Sequence, residues 1–311
     1  MIKNFEQFVN ESIIKNNNLK SPLKWAGGKS KLMDEIEKVY SEDFRFNSKK
    51  YTYVDLFSGG GSSWLFVIQK YHPKQVIVND INPNVINLWR CIQNNPKELC
   101  SELYVLKSNY SKLDLDDRKK YFLNLRKSFN DKKDVLRGTN TDIKLASEFL
   151  FLNKTCYNGL WRTNSKGEFN TSFGKQTNPN NIPNIYDEDN IMRLSELISG
   201  VKFTCRDYKD VIGDNITGNV LVYMDPPYRG TWADYSKESF GEQEQIELSH
   251  YMKELKDRGF LVIQSNSKCD DGFFEEYYKD FEIKTLEDVQ RNIRPTAERK
   301  VKEILIYNLK E

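Results

Sequence analysis

Val54-Asp55-Leu56-Phe57-Ser58-Gly59-Gly60-Gly61 is the most constraining stretch of the chain. An apolar run over 51–57 reads as a strand. It breaks into glycines, and an amphipathic helix is expected from Ser62 to about Tyr71. Glycines at such a junction let the backbone approach a ligand and leave the helix N–H groups aimed at it. A second apolar run, Gln75 to Asn79, ends in Asp80, about 20 residues beyond the glycines, where a carboxylate can accept both hydroxyls of a ribose. The same pattern also suits a plain tight turn. The spacing is not Gly-x-Gly-x-x-Gly, because Ser62, Ser63 and Trp64 follow Gly61. A nucleoside ligand without a pyrophosphate, such as S-adenosylmethionine, therefore fits better than a dinucleotide.

The alternation continues. Pro83 suits the first turn of a helix. Further strands are expected around Phe203, at Val220 to Met224, at Phe260 to Gln264 and at Glu303 to Tyr307. Strand–helix alternation of this kind implies an α/β fold with a doubly wound mixed sheet. Residues 94–194 break the rhythm with helical periodicity and a polar Gly- and Asn-rich loop, and read as an inserted, mostly helical domain. Residues 21–93 and 195–311 would form the catalytic domain. Residues 1–20 read as a loose leader, with a short helix around Phe5 to Ile14.

With 18 Phe and 17 Tyr in 311 residues, wholesale disorder is excluded. No apolar run approaches membrane-span length and no apolar signal segment opens the chain, so residence in the cytoplasm is expected. Five cysteines without a Cys-x-x-Cys pair, and two histidines, argue against a zinc site or a disulfide framework, and no metal is expected. Net charge is only +2, but 118–144 holds nine Lys/Arg against three Asp/Glu. That run is either a solvated helix face or a phosphate-contacting surface. The basic stretch 291–300 leaves a similar pair open, DNA contact or a solvated loop over the sheet.

Lys24-Trp25-Ala26-Gly27-Gly28-Lys29 invites a phosphate-loop reading, but Leu23 stands where that loop needs its first glycine. A turn presenting Trp25 and Lys29 to a pocket fits better, since indole faces attract sulfonium or ammonium groups and a lysine holds a carboxylate. Val222-Tyr223-Met224 runs into Asp225-Pro226-Pro227-Tyr228. Prolines stiffen the turn and leave its carbonyls as free acceptors. Asp225 and the Pro226 carbonyl can then take the hydrogens of an exocyclic amine while Tyr228 stacks on its ring. Gln264-Ser265-Asn266-Ser267 is expected to follow a strand at the edge where pocket walls form.

These motifs, in this order, resemble the Dam-type DNA adenine N6-methyltransferases of bacteria and phages over about 21–308. Between them lie Leu152-Asn153-Lys154-Thr155-Cys156-Tyr157-Asn158-Gly159-Leu160-Trp161-Arg162, Gly167 to Asn170 and Phe173-Gly174, similar to the hairpin with which that family reads DNA. The resemblance implies a Rossmann-like methyltransferase fold with an inserted target-recognition domain, S-adenosylmethionine as cofactor and double-stranded DNA as partner, bound by a monomer or weak dimer. It implies catalytic roles for Asp225, Pro226, Pro227 and Tyr228. Cofactor contacts would come from Trp25, Lys29, Asp55, Phe57, Gly59, Gly61, Asp80, Asp207 and Asp225. DNA recognition would fall to Tyr157, inserted into the duplex, to Arg162, on the first guanine of GATC, and to Asn158, Leu160 and Lys175. Two departures lie in the hairpin: Thr163 replaces a common tyrosine, and Thr171-Ser172 replaces Val-Pro.

A cytosine N4- or RNA-methylating enzyme would share the tetrapeptide's chemistry. A binding protein without turnover would have less need of an intact Asp225 to Tyr228.

Overall fold

The computed structural model describes residues 19–25, 29, 32–132, 135–136, 141–174, 178, 182–229, 240–294 and 297–308, with side chains excepted at 287–294 and 297–301. The expected helix near Phe5, the Ala26-Gly27-Gly28 part of the turn and Lys175 lie outside these residues.

Two short helices, α1 (Met33–Lys38) and α2 (Glu42–Asn47), lead into β1 (Thr52–Asp55). Then come α3 (Ser62–Tyr71), β2 (Gln75–Asn79) and α4 (Pro83–Asn94), with Pro83 in the first turn and the Asn82 side chain accepting from Asn84 N. A helical stretch follows: α5 (Pro96–Ser111), α6 (Leu115–Asn130), α7 (Ile143–Thr155) and α8 (Glu188–Leu197). The last three begin on an aspartate, Asp114, Asp142 or Asp187, whose carboxylate accepts a backbone N–H of the first turn, satisfying a donor the helix leaves open. The sheet resumes with β3 (Lys202–Thr204) and β4 (Val220–Met224), then α9 (Glu242–Asp257), β5 (Leu261–Ser267), α10 (Phe273–Tyr277), β6 (Glu282–Arg294) and β7 (Ala297–Tyr307).

The seven strands are ordered β3-β2-β1-β4-β5-β7-β6. The first five are parallel, and β7 runs antiparallel to both β5 and β6. Successive residues face opposite sides of a strand, and the core divides accordingly. Tyr53, Val76, Val78, Leu221, Tyr223 and Ile263 point to one side, where they share a single cluster with α3, α4, α5, α7 and α8. Val54, Ile77, Val220, Val222, Met224 and Val262 point to the other, against α9 and α10. The sheet is thus the doubly wound mixed sheet expected. Order reverses between β1 and β4, and the crevice at their carboxyl ends is where such sheets bind ligands.

One alternative and one expectation are corrected. Residues 291–294 and 297–300 are not a solvated loop over the sheet: Arg291 pairs with Val301, Asn292 with Lys300 and Arg294 with Ala297 at the far end of the β6–β7 hairpin. Gln264 to Ser267 do not follow a strand but complete β5, and all four are buried. β6 itself went unforeseen, because its Glu, Lys, Asp, Gln and Arg residues obscure the apolar alternation that marks a strand.

Candidate active site

The glycine turn is held from beneath. Asp55, at the end of β1, is fully buried, with Phe57 N donating to Oδ1 (3.2 Å) and Ser63 Oγ to Oδ2. Burial pushes its carboxyl up to about 7, with the charges of Asp225 and Asp80 adding to the shift. Gly59 N donates to Asp80 Oδ2 (2.7 Å), and Asn82 N to Oδ1 (2.8 Å). Burial raises the Asp80 carboxyl too, against these two N–H groups. Gly59 and Gly61 adopt φ of 45° and 85°, which favours glycine. A Cβ on Gly59 would lie 2.7 Å from Trp25 Nε1, and one on Gly61 2.8 Å from Trp89 Cζ2. The close approach that the glycines permit is therefore made by indoles: Trp25 lies directly on the turn. Phe57 packs on Tyr208 and Phe240. A cavity of about 490 Å³ borders the outer side of this turn, between Leu19 to Trp25 and the α3 residues Leu65, Phe66 and Gln69.

The structure brings Lys29 to Asp225. Lys29 N donates to Ser62 Oγ (2.8 Å) at the start of α3. From there its side chain, 2% exposed, reaches Asp225 Oδ2 at 2.6 Å and lies 4.8 Å from the centroid of the Tyr228 ring. The other carboxylate oxygen, Asp225 Oδ1, is buried without a hydrogen-bond partner among the described residues. A buried carboxylate oxygen gains from a hydrogen-bond donor, so this atom can accept one. The Tyr228 hydroxyl donates to Glu303 Oε2 (3.0 Å) on β7, a carboxylate 2% exposed. A carboxylate acceptor, a stiff double-proline turn and an aromatic ring thus meet at the carboxyl end of β4. Glu303 was missed in the sequence, where it reads as one more acid in a charged strand.

Asp207 follows β3, is exposed, and accepts from Lys209 N (3.0 Å) as the cap of a single 3-10 turn. Between it and the glycine turn, Ile81 is 70% exposed beside Asp80, an apolar surface the sequence reading passed over.

The expected hairpin is present. Cys156 bridges Phe173, and Thr163 bridges Phe169. Tyr157 N donates to Ser172 O (2.9 Å) and Asn170 N to Arg162 O (3.0 Å). Trp161 stacks on Phe169 at 4.2 Å and meets Phe149 of α7 edge-on at 4.5 Å. Tyr157, Asn158 and Arg162 are exposed, and Leu160 is half-buried. Asn158 and Gly159 both take positive φ, conformations that asparagine and glycine tolerate best. The two departures differ in kind. Thr171 is buried, its hydroxyl donating to Leu160 O (2.8 Å), so it serves the hairpin's frame. Thr163 is exposed.

At the hairpin's foot, Asn153 ties two segments together: it accepts from Lys24 N (2.9 Å) and donates to Lys24 O (2.8 Å) and Gly159 O (3.2 Å). Lys154 stands nearby, and burial together with the Lys24 charge lowers its ammonium to about 8. Part of the basic run 118–144 turns inward. Arg118 is buried and donates to Tyr110 O (3.3 Å), Arg126 donates to Thr171 O (3.0 Å), and Lys132 pairs with Glu148 at 2.9 Å. These three serve the fold.

Among the described residues no cluster of three or more His, Cys, Asp or Glu could hold a metal ion, and no helix is long and apolar enough to cross a membrane.

Comparison with known proteins agrees with this geometry. A type II methyltransferase of Methanocaldococcus jannaschii, M.MjaIII, is 35% identical over 269 residues, 85% of this chain and 89% of its own. The type II methyltransferase M1.LlaDCHI of Lactococcus lactis subsp. cremoris is 29% identical over 94% of this chain and 96% of its own. A DNA adenine methylase of Haemophilus influenzae is 28% identical over 90% of each. The MethyltransfD12 family model matches residues 25–292. With its seven-stranded mixed sheet and its Asp225 to Tyr228 turn, the chain belongs to the D12 class N6 adenine-specific DNA methyltransferases.

Proposed function

We propose that the methyl donor is S-adenosylmethionine, bound at the carboxyl ends of β1 and β2, and that the target adenine enters rotated out of the duplex, between Tyr228 and Asp225. The observation that carries this reading is the buried Asp225 Oδ1, without a hydrogen-bond partner among the described residues, beside the Asp225–Lys29 pair. The residues around the glycine turn fit the cofactor. Each Asp80 oxygen accepts one N–H, and a carboxylate oxygen can take more than one donor, so ribose hydroxyls can be held there. Trp25, Phe57, Gly59, Gly61, Ile81 and Asp207 would line the same crevice. Asp55 acts through the turn it supports. Bound there, the cofactor supplies an electrophilic methyl group.

Adenine N6 is a weak nucleophile because its lone pair is delocalised into the ring, and an enzyme reaches it only outside the base stack. Asp225 Oδ1 accepts one N6 hydrogen and the Pro226 carbonyl the other, drawing the nitrogen toward a nucleophilic geometry. Lys29 keeps the carboxylate in place, and Tyr228 holds the ring by stacking. Preorganised acceptors and fixed orientation supply most of the rate.

Recognition belongs to the hairpin within 94–194: Tyr157 wedges the duplex, Arg162 reads guanine, and Asn158, Leu160 and Lys175 flank them. The site is GATC or a related sequence, with exposed Thr163 free to alter the flanking contact. Lys24 and Lys154 add positive charge at the hairpin's foot. The chain acts on double-stranded DNA in the cytoplasm as a monomer or weak dimer.

Asp225→Ala is expected to abolish transfer of labelled methyl to duplex DNA, read by nucleoside chromatography as N6-methyladenine, while DNA binding persists. Near-wild-type turnover in that variant would overturn the assignment.

A further inference from the structure

The polar end of β5 is unusual. A buried strand between β4 and β7 ordinarily carries apolar residues, yet Gln264, Ser265 and Asn266 are each 0% exposed and Ser267 5%. Burying such groups is costly unless they are hydrogen-bonded, and the bonds of Asn266 lead to the catalytic turn. Asn266 Oδ1 accepts from Arg229 N (3.1 Å) and from Ser267 N (2.9 Å). Asn266 Nδ2 donates to Gln245 Oε1 (3.1 Å). Gln245, fully buried on α9, donates through Nε2 to Pro227 O (2.7 Å).

The two amides form one chain of bonds from Pro227 O to Arg229 N. Its direction is forced: Pro227 O needs a donor, Arg229 N needs an acceptor, and only one orientation of each amide meets both demands. The chain grips the peptide groups on either side of Tyr228. Proline supplies no N–H at 226 or 227 with which the turn could anchor itself. The clamp takes up the Pro227 carbonyl, not the Pro226 carbonyl that the proposed chemistry uses.

We infer that Gln245 and Asn266 are positioning residues: a buried amide clamp that sets the Tyr228 ring and the Pro226 carbonyl in register with Asp225. The inference rests on Asp225 to Tyr228 being the amine-binding site. Neither amide touches the base. A misplacement of about 1 Å in such a site costs on the order of 100-fold in rate, which sets the scale of the effect.

The test uses full-length protein and duplex DNA carrying 2-aminopurine at the target adenine for the fluorescence measurement, and unmodified duplex for kinetics. Gln245→Met keeps the volume and removes both bonds. Gln245→Glu keeps the shape and the acceptor for Asn266 but, as a carboxylate, loses the donor to Pro227 O. Both variants are expected to lose about 10- to 100-fold in kcat, with KM for DNA and cofactor within about twofold. Both should alter the 2-aminopurine signal, because the flipped base meets a displaced Tyr228. Combining Gln245→Met with Asn266→Leu should cost no more in kcat than the worse single change, since both break one chain of bonds. Wild-type kcat in a folded Gln245→Met protein, or multiplicative losses in the double variant, would overturn the clamp. Asp225→Ala separates the two levels. If it is inactive while the Gln245 variants are normal, only the clamp fails. If it is active, the site itself has been misassigned.

Discussion

Asp55 has no exposure, and its two oxygens face Phe57 N and Ser63 Oγ. Burial raises its carboxyl to about 7. Between the unfolded carboxylate range, near 4, and about 7, the folded chain therefore binds a proton that the unfolded chain has lost. Stability contributed at this position falls as pH rises through that window, and the ionisation penalty is complete above it. Asp55→Asn removes the titration. The variant is expected to show a shallower fall in Tm between pH 5 and pH 7 than the parent, and an unchanged slope would assign the ionisation elsewhere. At this scale the Asp225 carboxylate and the Tyr228 ring were legible as a pair, because Asp225 to Tyr228 are consecutive. The cation beside the acid was read as a cofactor contact. Glu303 and the clamp amides were invisible in that role, because each reaches the turn from a strand or helix whose neighbours only the folded sheet determines.

The hairpin between Cys156 and Phe173 shows how an irregular element is held in place. Its strands share few ladder bonds, so its shape is set by α6 and α7. Asn130 accepts from Phe169 N (2.9 Å) and donates to Phe169 O (3.0 Å), replacing a partner strand. Trp161 is packed among Phe169, Phe149 and Phe129. Asn130→Ala leaves both groups of Phe169 without these bonds, a cost of about 1–3 kcal/mol. The expected result is faster amide exchange at Phe169 and several-fold weaker binding to target DNA, with cofactor affinity unchanged. If DNA affinity held, the exposed Tyr157 and Arg162 would not depend on the frame behind them. The hairpin was legible only through the family resemblance of 152–174. Its anchoring on α6 was not, because the basic run that drew attention there mixes solvated lysines with residues such as Arg118 and Arg126 that face inward.

Over the whole molecule, the helical stretch and the sheet do not have separate cores. Helix α7 is buried on nearly every face, from Leu145 to Thr155, as expected of a central rather than a surface helix. Its Phe149 and Phe151 belong to the same cluster as Tyr53 of β1 and Tyr223 of β4. The sequence marks residues 94–194 as an insertion because their periodicity changes, but apolar periodicity tells which faces are buried and not what they meet. A shared core has a thermodynamic consequence. If α7 and the central strands form one cooperative unit, a cavity made in either is felt by both. Phe149→Ala removes a large buried ring and should cost about 3–5 kcal/mol. Native-state hydrogen exchange should then report nearly the same loss of protection in α7 as in β1 and β4. A loss confined to α7 and the hairpin would mean that the hairpin opens without the sheet. With equal losses, the Lys24–Asn153–Gly159 bonds join two parts of one rigid body, so the hairpin's grip on DNA and the pose of Asp225 are set by the same folding free energy.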